Sequence, residues 1–396
     1  RRRQRQMCIR DRRNIIGNVP HLRFPEFSGE WEIYPLTDFM SFKNGMNPDA
    51  KRFGRGTKFI SVMDILNNQF ICYDNIRASV EVVDGDIETY GVNYGDILFQ
   101  RSSETLEDVG QANVYLDSKP AVFGGFVIRG KSKSNYYPMF FRYLLASPTA
   151  RKKIIVKGAG AQHFNIGQDG LSKVCLNIPS IQEQEKIAKL FECIDTRIAT
   201  QNKIIEDLKK LKSAISLKML HSDSWEQFKI QDIASIGRGR VISSVEISQQ
   251  ENPLYPVYSS QTSNDGIMGY LDDFMFEGEY ISWTTDGANA GTVFYRNGKF
   301  NCTNVCGLLK LKKGFDAHFV SLVLAEATRM YVSTNLANPK LMNNTMGNIQ
   351  IRLPKLEEQK RISVVFRKLH GLLETHNSLI IKYSKQKQYL LSQMFI

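Results

Sequence analysis

A sequence repeat constrains the fold of this chain more than any other feature. A short motif that opens at Pro179 recurs at Pro354, 175 positions later. Four residues are identical at this constant shift, namely Pro179 and Pro354, Glu183 and Glu358, Gln184 and Gln359, and Ile187 and Ile362. The match continues without a gap for about 40 residues, to Met219 and Met394. A repeat of this length indicates that two similar structural units occur in one chain.

Both repeated segments, residues 179–220 and 354–396, are predicted to be long helices. Proline stands before each start, where it is tolerated, and Gly371 alone interrupts the segments that follow. Apolar residues then recur at steps of four and three, the heptad pattern of a helix that packs along one seam. The seam and its opening motif are our candidate surface for helix pairing and subunit docking. Its members are Glu183, Gln184, Ile187, Phe191, Ile198, Ile205, Glu358, Gln359, Ile362, Phe366, Leu373 and Ile380.

Two helices of about 40 residues would each be about 60 Å long and must bury their apolar seam. Each helix has the other copy as its nearest partner, so we expect an antiparallel coiled coil with pseudo-twofold symmetry and a domain at each end. The alternative is that each helix packs only on its own domain. Polar residues interrupt both seams at equivalent positions and either set the register or face water or another protein. They are Gln201, Lys212, His376 and Lys387.

A second repeat marks the start of each globular part. Trp31-Glu32 and Trp225-Glu226 match at a shift of 194, so the second domain is the shorter one. Short strand-like runs broken by Gly, Asn and Asp occur in both domains, whose interiors differ in sequence. We predict an α+β fold in which two β-rich α/β domains are separated by the long helices. Its segments are a leader (1–19), a first domain (20–178), a first helix (179–220), a second domain (221–353) and a second helix (354–396).

The net charge of +12 suggests a polyanionic partner, but its distribution weakens that argument. Residues 1–13 contain seven arginines and one aspartate, which is half of the surplus, while the two domains are nearly neutral. No apolar run follows this leader, so we do not interpret it as a signal peptide. We interpret it as an unstructured or non-native extension. The alternative is a basic arm that binds nucleic acid.

Six cysteines are spread along the chain, and only Cys302 and Cys306 lie close together. A zinc site would need four ligands, so we predict buried strand thiols here rather than a metal site. Sparse cysteines indicate a reducing compartment, and no apolar run reaches the roughly 18 residues of a membrane span. We therefore expect a cytoplasmic protein.

Polar and basic loop residues are the candidates for DNA contacts. Arg, Lys, Gln, Asn, Ser and Thr are the side chains that hold phosphates and read base edges. Any one of them could equally belong to a solvated turn. The candidates in the first domain are Lys51, Arg52, Arg55, Lys58, Gln100, Arg101, Ser102 and Ser103. Those in the second domain are Arg238, Arg240, Ser259, Ser260, Gln261, Trp283, Thr284, Thr285 and Asn289.

No catalytic constellation is recognisable in the sequence. We find no nucleotide-binding glycine loop, no adenine-methylation tetrapeptide and no metal-ligand spacing. Asp286 beside Asn289 could act as an acid or base, but neither a nucleophile nor a metal set accompanies it. We therefore predict that the chain has no catalytic residues and binds no metal or cofactor of its own.

The combination of motifs resembles the specificity (S) subunit of type I restriction–modification enzymes over about residues 20–396. The proline–glutamate–glutamine motifs and the Trp-Glu pairs carry the resemblance, together with Gly95–Leu98, Tyr255–Gln261 and Gly291–Val293. It implies two target recognition domains, each reading half of a bipartite site in double-stranded DNA, and helices that fix the spacer. Two modification (methyltransferase) subunits would dock on these helices, and restriction subunits would join them. S-adenosylmethionine, ATP and magnesium would then bind to those partners.

Two other classes of function compete with this interpretation. One is a coiled-coil adaptor that binds protein partners and has no role at DNA. The other is a DNA methyltransferase that acts alone, against which the missing cofactor loop and catalytic tetrapeptide argue.

Overall fold

The computed structural model describes residues 17–133, 136–160, 163–333 and 338–396. The arginine-rich leader, about which we made two alternative predictions, lies almost entirely outside these residues. The chain divides into two compact units, and each is described by itself. Unit 1 contains the described residues up to Asn202 together with Ser378–Ile396, and unit 2 contains Lys203–Asn377.

Helices occur at the two predicted long segments and at short segments within the domains. Up to the first long helix they are α1 (Val62–Asn67), α2 (Asp86–Tyr90), α3 (Pro138–Ala146), α4 (Pro148–Ile155), α5 (Gln168–Ser172) and α6 (Ile181–Met219). The remainder are α7 (Ile230–Ile233), α8 (Ser244–Ser248), α9 (Ala317–Ala327), α10 (Asn343–Asn348) and α11 (Leu356–Gln393). The predicted long helices are therefore confirmed as α6, with 39 residues, and α11, with 38. Each begins two residues after a repeated proline and carries glutamate in its first turn, which favours the positive end of the helix dipole.

Short strands make up the centre of unit 1. They are β1 (Glu32–Pro35), β2 (Met40–Asn44), β3 (Phe53–Ile60), β4 (Ala78–Val80), β5 (Ile97–Gln100), β6 (Ser102–Ser103), β7 (Ala112–Val114), β8 (Val122–Phe123), β9 (Val127–Ser132), β10 (Phe164–Asn165) and β11 (Cys175–Ile178). Four of them form an antiparallel sheet in the order β2-β9-β5-β7. A second sheet has the order β4-β3-β8, in which β3 and β8 are parallel.

Unit 2 repeats this plan with its own strands. They are β12 (Glu226–Lys229), β13 (Ala234–Arg238), β14 (Tyr255–Tyr258), β15 (Ile267–Leu271), β16 (Phe276–Glu277), β17 (Tyr280–Thr284), β18 (Val293–Arg296), β19 (Lys299–Cys302), β20 (Cys306–Leu311) and β21 (Gln350–Leu353). The antiparallel sheet β13-β20-β17-β18 matches β2-β9-β5-β7 strand for strand. The mixed sheet β15-β14-β19-β16 likewise contains one parallel pair, β14 with β19. Domains that share little interior sequence therefore have the same topology, because a sheet requires an alternating apolar pattern and not particular residues.

The repeated Trp-Glu pairs mark the point where each domain closes. Glu32 of β1 pairs with Ile178 of β11, and Glu226 of β12 pairs with Leu353 of β21. The entering and leaving strands of each domain are thus antiparallel neighbours, and the leaving strand runs directly into the proline that precedes a long helix. This pairing explains why the two sequence motifs recur together.

The long helices meet inside unit 1, where the start of α6 lies beside the end of α11. The rings of Phe191 and Phe395 have centroids 5.8 Å apart. Lys387 Nζ reaches Asp195 Oδ1 at 2.5 Å. From the first contact to the second, the residue numbers rise along α6 and fall along α11. The helices are therefore antiparallel in this unit, as predicted. Lys387, one of the polar seam residues, faces the neighbouring helix here.

The start of each long helix also packs on its own domain, which was our alternative to the coiled coil. Phe191 stacks on Tyr143 of α3 at 4.9 Å, and Ile187 lies in the same core of unit 1. Ile362 and Phe366 lie in the main core of unit 2. Both packing modes therefore occur, at successive parts of the seam. Within the described ranges, no helix combines the length and apolarity needed to cross a bilayer.

Candidate nucleic-acid interface

Unit 2 contains a polar cleft that brings together the two loops predicted from the sequence. Its volume is about 480 Å³, and the loops after β14 and after β17 form its walls. The lining residues from those loops are Ser259, Ser260, Gln261, Asp286, Gly287, Ala288 and Asn289. Thr303, Asn304 and Val305, in the turn between β19 and β20, complete it with Ile242 and Met268. Hydroxyl, amide and carboxylate groups on one concave surface suit the recognition of base edges.

Three of the predicted contact residues, at the end of β17, support the cleft instead of lining it. Trp283 is fully buried in the core, where its Nε1 donates to the Leu341 carbonyl at 2.9 Å. The Thr285 hydroxyl donates to the Val305 carbonyl at 2.9 Å, and the Thr284 hydroxyl accepts from the Thr292 amide. The strand turns these three side chains inward, so they support the cleft here, and a DNA contact by any of them stays a prediction.

Arg296, which our sequence analysis did not select, holds the loop after β14. Its side chain is 2% exposed, and Nη1 pairs with Asp265 Oδ2 at 2.7 Å while Nε donates to the Ser282 hydroxyl. The guanidinium also lies 3.7 Å from the ring centroid of Tyr258. Asp265 has a φ of 52°, which is strained for a residue other than glycine, and this pairing stabilises it. A buried arginine on an otherwise ordinary strand carries no local sequence signal.

The two predicted arginines of β13 and the loop after it are engaged within the protein. Arg238 Nε donates to Asn343 Oδ1 at 2.9 Å. Arg240 forms an ion pair with Glu246 through both terminal nitrogens, and this hydrogen bonding lowers the pKa of the carboxyl. Arg240 is neutralised by this ion pair and would have to exchange partners to bind a phosphate. Arg238 contacts only neutral groups and has no ion pair among the described residues.

Cys302 and Cys306 flank the turn that contributes Thr303 to the cleft. Both thiols are buried at the facing ends of β19 and β20, as predicted for strand thiols. A hydrogen bond between them raises the pKa of Cys302, and burial raises it further. The pair packs with Phe300 and Leu308 in a small core cluster next to this turn.

In unit 1, a bulge in β3 presents one of the exposed predicted cations, Arg55. The ladder between β3 and β4 pairs Val80 with Phe53 and again with Thr57, so the residues between loop out. Arg55 lies in this bulge between Gly54 and Gly56, whose φ angles of 98° and 90° favour glycine. Its side chain is 75% exposed and makes only a surface pair with Glu81. This position suits a phosphate contact.

The other basic candidates of this segment differ in their availability. Lys51 is exposed. Arg52 pairs with Asp86, and Lys58 Nζ donates to the Ile76 carbonyl at 2.8 Å. Arg52 and Lys58 therefore hold the bulge in place.

The predicted run after β5 forms a turn that is only partly accessible. Gln100 is buried, with Nε2 donating to the Ser102 carbonyl at 2.9 Å, and it shapes the turn. Arg101, Ser102 and Ser103 are half-buried, and Arg101 Nη1 donates to the Gly125 carbonyl at 3.3 Å. The turn occupies the same place in its sheet as the Asp286 loop does in unit 2, because β5 corresponds to β17.

The repeated glutamine of the helix motifs is a structural clamp in both units. Gln184 Nε2 donates to the Pro179 carbonyl at 3.0 Å, and its Oε1 accepts from the Tyr137 amide at the start of α3. Gln359 Nε2 donates to the Pro354 carbonyl at 2.8 Å, and its Oε1 accepts from the Asp316 amide at the start of α9. Each glutamine therefore joins the beginning of a long helix to the beginning of a domain helix.

The repeated glutamate has diverged between the two units. Glu183 is buried, pairs with Arg23 at 2.8 Å and accepts from Trp31 Nε1 at 3.2 Å. Glu358 is exposed and, with Trp225, lines an open groove of about 1110 Å³.

Most of the predicted docking residues are not accessible to another subunit. Ile198, Leu373 and Ile380 are half-buried, and Glu358 is exposed. The buried members are Glu183, Gln184, Ile187, Phe191, Ile205, Gln359, Ile362 and Phe366. These eight are packed inside the protein, the apolar ones as seam residues and Gln184 and Gln359 as clamps, and a docking role for any of them stays a prediction.

The two domains share one topology. Each continues into a long helix and bears polar loops at one end of its sheet. These features define a protein of the DNA-recognition class. The chain belongs to the type I restriction modification DNA specificity domain family, whose model matches residues 28–210 and again residues 222–382. The chain therefore serves as a DNA sequence-recognition subunit of a type I restriction–modification system and acts with other subunits of such a system. Specificity subunits are in general non-catalytic.

Known proteins resemble the chain in sequence and in fold. A putative type I specificity subunit of Mycoplasma pneumoniae is 35% identical over 233 residues, covering 57% of this chain and 97% of that protein. The type I restriction enzyme MpnII specificity subunit of the same organism is 41% identical over 177 residues, covering 43% of this chain and 53% of that protein. The crystal structure of an S subunit from M. genitalium has a TM-score of 0.64 at 15% identity, covering 96% of this chain and 99% of that one. That structural likeness concerns the fold alone.

Proposed function

We propose that each domain reads one half of a bipartite DNA target. The observation that carries this proposal is the shared strand order of the antiparallel sheets in the two domains combined with different chemistry at equivalent loops. An exposed arginine projects from the bulge in unit 1, whereas unit 2 offers a polar cleft. A shared scaffold with divergent loops is what two readers of unrelated half-sites require.

The long helices would set the distance between the half-sites and dock the methyltransferase subunits. The 39 residues of α6 correspond to a length of about 58 Å, more than the roughly 34 Å of one turn of DNA. A spacer of bases that the domains do not contact is therefore geometrically reasonable. The half-buried and exposed candidates, Ile198, Leu373, Ile380 and Glu358, are our proposed docking residues.

Catalysis would belong to the partners. Two modification subunits would bind S-adenosylmethionine and methylate adenine, and restriction subunits would use ATP and magnesium for cleavage. This chain would supply the recognition of the DNA target and the scaffold on which the partner subunits assemble.

Exchange of one domain tests the modular reading directly. The chain is co-expressed with its modification subunit, and methylated adenines are mapped across a genome. Replacing residues 20–178 with the corresponding domain of another specificity subunit should change one half-site and leave the other intact. A mapped motif that is unchanged, or that changes in both halves, would contradict the proposal.

Insertion of seven residues into a helix tests the spacer. A heptad inserted after Lys210 of α6 keeps the apolar seam in phase. It should lengthen the spacer or abolish assembly with the methyltransferase. If the spacer and the assembly both stay the same, the helices do not measure the distance.

Salt dependence separates DNA recognition from an adaptor role. DNA affinity of the assembled complex should fall steeply as salt rises. Arg55→Ala should weaken binding to all sequences about equally and reduce the slope of log affinity against log salt by about one. Gln261→Ala, in the cleft of unit 2, should instead relax one half-site. Affinity that is independent of salt would favour the adaptor.

A further inference from the structure

The side chains that line the cleft of unit 2 have an unusual balance for a DNA-reading surface. They comprise hydroxyls, amides and the carboxylate of Asp286, and no lysine or arginine among the described residues lines it. The nearby Arg240 and Arg296 are held in ion pairs with Glu246 and Asp265. Lys340, which lies opposite Asp286 in an isolated β-bridge, is exposed but is not among the lining residues. The lining itself therefore lacks the basic side chain that most often reads the O6 and N7 acceptors of guanine.

A carboxylate in this position can only accept hydrogen bonds. The exocyclic amino groups of cytosine (N4) and adenine (N6) are the donors that base pairs present in the major groove. Guanine O6 and thymine O4 are acceptors, and they would face the negative charge of Asp286 without a proton between them. The carboxylate thus attracts adenine and cytosine and repels guanine and thymine.

We propose that Asp286 is a specificity-determining residue that selects adenine or cytosine at one position of the half-site read by unit 2. This inference rests on the proposed function and adds the class of base that the cleft accepts. The amides of Gln261 and Asn289 line the same cleft and supply further donors and acceptors for the neighbouring base edges, although Gln261 Nε2 already donates one hydrogen bond to the Ile267 carbonyl.

Thr303 gives independent support for a ligand in the cleft. Its side chain is only 4% exposed, it lines the cleft, and its Oγ1 has no hydrogen-bond partner. A buried hydroxyl without a partner is costly unless a bound molecule satisfies it. The backbone amide of Thr303 donates to the Tyr258 carbonyl at 2.9 Å, so the residue is held in place whether or not its hydroxyl is used.

The test uses the chain assembled with its modification subunit and a set of duplexes that carry each base at every position of the mapped half-site. With the original chain, and with bases named on the strand that faces Asp286, A·T and C·G at one position should be preferred over T·A and G·C by about tenfold or more. Asp286→Asn introduces an amide that can donate to O6 or O4, so this preference should fall to less than about threefold. The other half-site should keep its specificity.

Two further variants separate recognition from folding and from bulk charge. Thr303→Val should leave the thermal stability unchanged or higher, because an unpaired hydroxyl is removed, and should weaken binding to the preferred duplex. Asp223→Asn removes the same charge from an exposed position outside the cleft, and base preference should not change.

The outcomes distinguish this inference from the proposed function. If the half-site is intact but Asp286→Asn leaves all base preferences unchanged, the assignment of Asp286 is overturned and the modular reading stands. If the assembled complex shows no bipartite site at all, the proposed function itself fails.

Discussion

Substitution of Gln359 by methionine examines the clamp that joins α11 to the domain of unit 2. Methionine has a similar length and helix propensity, so the change removes polar atoms with little loss of packing. Two hydrogen bonds disappear, one to the Pro354 carbonyl at 2.8 Å and one from the Asp316 amide at 2.9 Å. The glutamine side chain is 1% exposed, so water does not readily replace it.

The expected cost follows from the two backbone groups left without partners. Each orphaned buried group costs about 1–3 kcal/mol. The Asp316 amide is only partly buried, so we take about 1–2 kcal/mol for it. That energy corresponds to roughly 5- to 30-fold faster opening of this amide, since 1.4 kcal/mol is about tenfold in an equilibrium constant.

Hydrogen–deuterium exchange on the full chain measures this effect at one residue. Exchange at the amide of Asp316 should accelerate in Gln359→Met, while exchange at Tyr137 stays as it was. Gln184→Met, at the equivalent position of unit 1, should produce the reverse pattern. Gln359→Glu keeps the acceptor for Asp316 but loses the donor to Pro354, so it should destabilise unit 2 without exposing the Asp316 amide. Unchanged exchange at Asp316 in the methionine variant would refute the clamp.

Three other expectations concern stability. Lys387→Met leaves the buried Asp195 without its ion pair and should lower the free energy of unfolding, measured in urea, by about 1–3 kcal/mol. Lys212→Met, at the same repeat position, should lower it by less than about 0.5 kcal/mol. Equal losses in the two variants would contradict the pairing. Burial lowers the pKa of His318 to about 4. As the pH falls, this histidine is therefore protonated in the unfolded state before it is protonated in the folded state. Its contribution to the free energy of unfolding should be complete above about pH 6.5 and should be lost as the pH falls toward 4. His318→Gln should flatten that part of the pH profile, and an unaltered profile would rule out this contribution. Arg296→Met should lower the free energy of unfolding of unit 2 by about 2–4 kcal/mol and its melting temperature by several degrees, and a smaller change would show that the arginine does not hold the loop.

The long helices and the repeat were predictable because their signals are local and periodic. The heptad spacing from Ile187 to Met219 specifies a helix and its buried stripe without reference to the remainder of the chain. The Trp-Glu pairs could be located in the same way, although the sequence did not reveal that they pair with the strands preceding Pro179 and Pro354. Such pairing depends on residues more than 100 positions apart.

The candidate site was only partly predictable. The polar runs at Ser259 and Asn289 were identified, and the structure brings them into one cleft. Trp283 lies in the core and does not line the cleft; this was not predicted, because a strand end contains both inward and outward side chains and sequence alone did not give the phase. Arg296 and Thr303 were missed because their roles arise from burial, which a single strand or turn does not encode.

The closing strand pairs β1–β11 and β12–β21 have a consequence for how such a chain can change through time. Because the first and last strands of each domain are paired, the two ends of the domain lie side by side at a fixed spacing. A foreign domain that preserves this strand pair and the contacts with the start of its long helix can be inserted by recombination at two short stretches of sequence, and the other domain need not adjust. If each domain reads one half-site as proposed, replacement of a whole domain can then give a new target sequence. Such a replacement avoids the unstable intermediates of stepwise substitution inside a packed core.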